Sequence, residues 1–301
     1  MWTRDDIPDL AGKTIIVTGG NSGLGFETSR AIAARGANVI MACRSIEKGE
    51  AAAHQIRGET PEATLEVMTL DLADLSSVLR FTEEFIKRGT SLDILFNNSG
   101  VMALPERKET KDGFEMQFGT NHLGHFALTG LLMDLIQSSP HARVVTTSSN
   151  GHKMGKVEFD NLNAERSYGR WGAYGLSKLS NLLFTYELQR RMERAGNNVI
   201  AVAAHPGYAA TNLQRHTAIF RFLNHIMAQN PAMGALPQLY AATAPDVHGG
   251  DYIGPDGFWE QRGYPLKVQS NELSHDKELA ERLWEVSEKL TGVQYVFEGQ
   301  E

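Results

Sequence analysis

The chain has 301 residues, of which 42% are hydrophobic and 22% charged, with a net charge of −7. That balance is ordinary for a soluble globular protein and is long enough for one or two domains around a substantial core. It offers no broad basic field for nucleic acid or anionic lipid, although it leaves room for a local basic site that holds a small anion.

The N-terminal MWTRDDIPDL is acidic and too polar for a signal peptide or membrane anchor. No aliphatic run approaches the ~20 residues that cross a bilayer. Cys43 is the single cysteine, so no internal disulfide forms and a reducing, cytoplasmic setting is expected. Strands are expected near 13–18, 38–43, 64–70, 92–97, 142–148 and 198–204. Helical patterns lie between them, near 23–35, 46–57, 74–88, 112–137 and 174–195. Stretches such as DILFNN and VIAVAA are apolar on successive residues, so both faces of those strands are covered. Strand–helix alternation of this kind predicts an α/β fold, a doubly wound parallel sheet of Rossmann type. The alternation stops near residue 206, where Pro206, Pro231, Pro237, Pro245, Pro255 and Pro265 punctuate segments that read as irregular. One more helix is expected near 275–291, with Leu279, Leu283, Trp284 and Val286 as an apolar stripe that docks on the core. A single domain over 1–301 is expected, with its core over 10–206 and a small late lobe over 207–301.

At the first strand–helix junction stands TGGNSGLG, Thr18 to Gly25. Free N–H groups at a helix start and the helix dipole favour an anion there. Glycine lets the backbone turn with positive φ and approach that anion without a Cβ in the way. The spacing, G-x-x-x-G-x-G, differs from the commoner G-x-G-x-x-G, and no Lys-Ser/Thr follows to make a P-loop. A plain tight turn would also use glycines, but the carboxyl end of the first strand is where parallel sheets bind ligands. Gly19, Asn21, Ser22, Gly23, Leu24 and Gly25 are therefore the expected dinucleotide cradle.

The second strand ends VIMACRS, with no carboxylate to accept a ribose 2′-OH. Arg44 stands there instead, and a guanidinium suits a 2′-phosphate, so NADP is expected in preference to NAD. Farther on, Tyr174 and Lys178 lie four apart at the start of a periodic helix. A phenol titrates near about 10, and a neighbouring ammonium is expected to lower that value and make Tyr174 a proton donor and acceptor. Tyr186 and Arg190 share the spacing but lie too far down the helix for a ligand at the sheet edge. Ten histidines invite a metal reading, yet no paired Cys/His spacing occurs, so no metal is expected and His122 and His125 read as packed helix residues.

In combination these motifs resemble the short-chain dehydrogenase/reductase family, in its retinol dehydrogenase-like branch. TGGNSGLG matches the family's glycine turn; LDL at 70–72 matches its acidic adenine-pocket position, bringing in Asp71 and Leu72. NNSG at 97–100, with Ser99 where the family has alanine, implies cofactor contacts from Asn98 and Gly100. The resemblance further implies Asn121 of TNHLGHF, Ser149 of TTSS, Tyr174 and Lys178 as a catalytic tetrad. HPGYAAT at 205–211 implies Pro206, Gly207 and Thr211 beside the nicotinamide. In that scheme Tyr174 exchanges the proton and Ser149, rather than its neighbour Ser148, stabilises charge on the substrate oxygen. Lys178 tunes Tyr174 and holds the cofactor ribose, and Asn121 orients a relay water. The implied activity is NADP-dependent interconversion of an apolar carbonyl and its alcohol; the alternative is a catalytically silent nucleotide sensor or scaffold. The 25-residue interval from Ser149 to Tyr174, and Phe220, Phe222, Ile226 and Met227, are expected to shape the substrate mouth. The membrane-anchored retinol enzymes have apolar N-terminal segments that this sequence lacks, so a retinoid substrate is not carried over. Family members often pair through the helices near 112–137 and 174–195, which keeps a homo-oligomer, dimer or tetramer, open.

Overall fold

A computed structural model of the chain describes residues 1–207 and 230–297. Its centre is an eight-stranded sheet built from β1 (Thr14–Thr18), β2 (Asn38–Cys43), β3 (Thr64–Thr69), β4 (Ile94–Asn97), β5 (Arg143–Thr147), β6 (Ile200–Ala204), β7 (Tyr252–Pro255) and β8 (Pro265–Lys267). The spatial order is β3-β2-β1-β4-β5-β6-β7-β8, with only the last pair antiparallel. Successive strand residues feed opposite cores, as a doubly covered sheet requires. Ile15 and Val17 of β1 join one apolar cluster while Ile16 joins the other; Phe96 and Leu95 of β4 divide the same way.

The first face carries α1 (Gly23–Ala33) and α2 (Ile46–Glu59), the second α3 (Leu75–Ile86). After β4 the chain runs through α4 (Met116–Phe118), a π-helical turn (Gly119–Leu123), α5 (Gly124–Leu131) and α6 (Met133–Gln137). The expected continuous helix over 112–137 is thus a broken one. α7 (Arg170–Arg194) precedes β6 and starts four residues earlier than its apolar pattern suggested. Side chains set several starts: Ser45 caps α2 and Asp74 caps α3 by accepting first-turn N–H groups.

Beyond residue 230 the expected irregular stretch is instead regular structure. α8 (Pro231–Thr243) has Asn230 as its cap and Pro231 in the first turn, where a missing N–H is harmless. Pro255 and Pro265 end β7 and begin β8, the edge pair of the sheet, where proline is tolerated. Pro231, Pro255 and Pro265 are therefore boundary markers, whereas Pro237 lies inside α8. α8 lies against α1 and the strand ends, and α9 (Lys277–Thr291) lies along α7 and α5. Leu283 and Trp284 of α9 are fully buried, with Leu279 and Val286 half-covered beside them.

Candidate active site

The sheet order reverses at the β1–β4 junction, and ligands of open parallel sheets bind outside the strand ends at such a point. There Thr18 ties the junction together: its Oγ1 accepts the N–H groups of Asn98 and Ser99 at 2.9 Å each and lies 3.0 Å from the Phe96 carbonyl. Gly19 and Gly23 both adopt positive φ, 69° and 54°. A Cβ on Gly25 would sit 2.3 Å from the Gly19 carbonyl oxygen, so only glycine lets α1 start this close to the turn. Ser22 caps α1 with extended backbone but without a side-chain hydrogen bond into the helix.

A cleft of about 790 Å³ opens in front of this turn. Gly19, Asn21, Ser22 and Gly23 line one end, Arg44 the β2 side, Asp71 and Leu72 the β3 side, and Gly100 the β4 side. Leu24 and Gly25 lie behind the turn, outside the cleft lining. Asn98 is likewise turned inward: its Nδ2 donates to the Thr18 carbonyl at 2.7 Å, so it braces β1 against β4. Lys48, Ser45 and Gln55 also line the cleft and were not anticipated. The signal for Lys48 was present, a second cation one helical turn after Arg44. A dinucleotide fits these features: a glycine cradle closed to any Cβ, a helix start, and two cations at the second strand's end. Among the described residues of the lining Asp71 is the only carboxylate.

At the carboxyl end of β5 the two candidate serines diverge, as neighbours on extended backbone do. Ser148 Oγ donates to the Lys178 carbonyl at 2.9 Å, while Ser149 faces the Tyr174 hydroxyl and accepts the Gly151 N–H at 3.1 Å. Lys178 Nζ donates to the Thr147 carbonyl at 3.0 Å and lies 5.9 Å from the centre of the Tyr174 ring. Asn121 sits in the π-helical turn. Its Oδ1 accepts the Val101 N–H at 2.8 Å, and its Nδ2 donates to the Val101 carbonyl and to Ser177 Oγ, each at 2.9 Å. The side-chain amide of Asn121 thus clamps the β4 loop onto α7. His125 completes this network, with Nδ1 donating to the Asn121 carbonyl and Nε2 3.0 Å from Thr18 Oγ1.

The electrostatics correct one expectation. Burial pushes the Tyr174 phenol above its ordinary 10, opposed only by its hydrogen bond to Ser149. The neighbouring ammonium does not offset this, and burial acts on that group too, bringing Lys178 down to about 8. Each charge is disfavoured by the same dry surroundings.

The flanking segments reach this point. Ser149 starts a 3₁₀ turn (Asn150–Met154), after which Gly155 packs on the Gly175 backbone so closely that a Cβ would lie 2.4 Å from its oxygen. Tyr168 Oη donates to the Leu104 carbonyl at 2.7 Å. The 150–169 segment is therefore folded over the start of α7. Pro206 and Gly207 follow β6; Gly207 has φ 65° and presses on the Gln261 carbonyl. Thr211 and the apolar residues Phe220, Phe222, Ile226 and Met227 lie outside the described residues. His122 is packed as expected, with Nε2 2.9 Å from Ser287 Oγ of α9.

Comparison with known proteins agrees with this geometry. The short chain dehydrogenase family model matches residues 13–219. Retinol dehydrogenase 14 of Mus musculus is 42% identical over 303 residues, covering 94% of this chain and 87% of the relative. Retinol dehydrogenase 13 of Homo sapiens is 42% identical over 297 residues, covering 95% and 86%. A crystal structure of a protein from Mycobacterium paratuberculosis superposes with a TM-score of 0.83 at 42% identity, covering 98% of this chain and 99% of the other.

Proposed function

The chain belongs to the short-chain dehydrogenase/reductase family, NAD(P)-dependent oxidoreductases acting on CH–OH and C=O groups, and from that premise we propose an NADP(H)-dependent enzyme for an apolar carbonyl or its alcohol. The observation that carries the reading is the convergence of Ser149, Tyr174 and Lys178 at the β5 end, beside the β4 end that lines the cleft. When bound, the nicotinamide exchanges a hydride with the substrate carbon. Negative charge then grows on the substrate oxygen in the reducing direction and needs a prepared donor. Tyr174 gives that oxygen its proton, and Ser149 donates a hydrogen bond beside it. Lys178, held by the Thr147 carbonyl, offers a cation to the phenolate that results. Asn121 fixes the distance between the β4 loop and α7, so the cleft and the proton donor keep register.

Arg44 and Lys48 support NADP, since both line the cleft where the adenosine ribose of a dinucleotide on this glycine turn would lie. The relatives' names give retinol dehydrogenases, and retinol is an apolar alcohol; the same broad class is proposed here, not retinol itself. Among the described residues no helix is long and apolar enough to cross a membrane. Purified protein mixed with NADPH and a panel of aldehydes, ketones and quinones should consume the cofactor with at least one of them. Tight NADPH binding without absorbance loss on any member would favour the silent sensor and end the enzymatic reading.

A further inference from the structure

Resting on the oxidoreductase reading, we propose that Phe258 and Trp259 form an aromatic platform at the substrate mouth, gripping a planar, unsaturated or aromatic arm of the substrate whose oxygen reaches Tyr174. The two rings stack with centroids 4.8 Å apart and planes 19° from parallel. They are nevertheless 80% and 76% exposed, while almost every other aromatic side chain of the described residues is covered. Neither ring lines the dinucleotide cleft.

The backbone that presents them is both strained and firmly held. Trp259 (φ 51°) and Glu260 (φ 56°) are consecutive non-glycine residues in the left-handed region, an arrangement that persists only where surrounding contacts impose it. Those contacts lead to the catalytic strand ends. The Trp259 carbonyl accepts Asn150 Nδ2 at 3.4 Å, and Asn150 follows Ser149 directly. Glu260 Oε2 lies 3.1 Å from Nε2 of His205, at the end of β6. The Gln261 carbonyl is pressed against Gly207, where a Cβ would come within 2.4 Å. At its base, Asp256 Oδ1 accepts the Tyr264 N–H at 2.8 Å. The loop is thus pinned to residues 150, 205 and 207 while its two largest side chains stand in the open.

Apolar area exposed on a pre-set support is area that a ligand can cover with little ordering cost. Stacked aromatic faces prefer a flat π-system over a branched aliphatic chain. Continuity with Ser149 through Asn150 makes the substrate, rather than a separate partner, the occupant.

The test compares 2-naphthaldehyde with propanal as substrates for the wild type, the Phe258→Ala/Trp259→Ala variant and Trp259→Phe. The double variant should raise KM for the naphthyl substrate about tenfold more than for propanal, the scale of one lost aromatic contact surface. Trp259→Phe, which keeps a flat ring, should retain most of that discrimination. Equal shifts for both aldehydes, or none, would overturn the platform. So would unchanged discrimination accompanied by loss of self-association or of vesicle binding, which would assign the rings to a second copy or a membrane. Calorimetric titration of 2-naphthylmethanol into the NADPH-saturated protein gives a readout without turnover, since alcohol and reduced cofactor cannot react. Binding that weakens in the double variant, in a protein that reduces no aldehyde, would keep the platform and reject the oxidoreductase reading. Binding unaffected by the substitutions, or absent, would reject the platform.

Discussion

Lys178 carries the pH dependence of the proposed chemistry. Its ammonium is held near about 8 by burial, not at the 10.5 of an exposed lysine. Below that value it is charged and can support a phenolate on Tyr174; above it the support is lost. For carbonyl reduction kcat/KM should therefore fall as pH rises through about 8, and a profile flat to beyond pH 10 would contradict that role. The cofactor side makes a second expectation at single-residue scale. Replacing Arg44 by Asp places a carboxylate where a ribose 2′-OH can donate to it and a 2′-phosphate is repelled. Selectivity measured as the ratio of kcat/KM for NADPH and NADH should move towards NADH, and an unchanged ratio would make Arg44 a bystander. Which residues gather was legible from the motifs themselves. Their ionisation was not, because a one-turn Tyr–Lys spacing says nothing of how dry the pair becomes. The same holds for Asn98 and Asn121, whose amides are consumed by Thr18, Val101 and Ser177 in contacts that no spacing announces.

α9 shows how an element far along the chain supports the site. Trp284 lies in an aromatic cluster with Phe126 of α5, Phe184 of α7, and Tyr295, whose hydroxyl donates to the Phe126 carbonyl at 2.7 Å. Arg191 covers the indole from outside, 4.4 Å from the ring centre. Trp284→Ala would leave a large cavity between α5, α7 and α9 and should lower unfolding stability by about 3–5 kcal/mol. Urea unfolding followed by circular dichroism reads this directly; a loss below about 1 kcal/mol would mean the cluster relaxes around the gap. The 3.6-residue apolar pattern revealed this helix and its buried stripe. α8 escaped notice because its prolines resemble breaks, although one of them occupies a first-turn position that proline favours. The π-helical turn at Gly119–Leu123 escaped for a different reason: one extra residue in a helix leaves no compositional mark, yet it puts Asn121 between the β4 loop and α7.

Across the whole molecule, the strand order brings together groups from distant parts of the chain. The glycine turn after β1, the serine after β5 and the tyrosine of α7 meet because all the parallel strands end on one side. Successive apolar residues in the strands announced that sheet; β7 and β8 did not, being four and three residues long and edged by proline. On the proposed function the single domain separates two tasks, dinucleotide binding in front of the β1 and β4 ends and proton transfer at the end of β5. Tyr174→Phe tests that separation most directly, with NADPH affinity and steady-state turnover measured on one preparation. Affinity should stay close to wild type while turnover falls by ~10²-fold or more. Turnover that survives the loss of the hydroxyl would contradict the account.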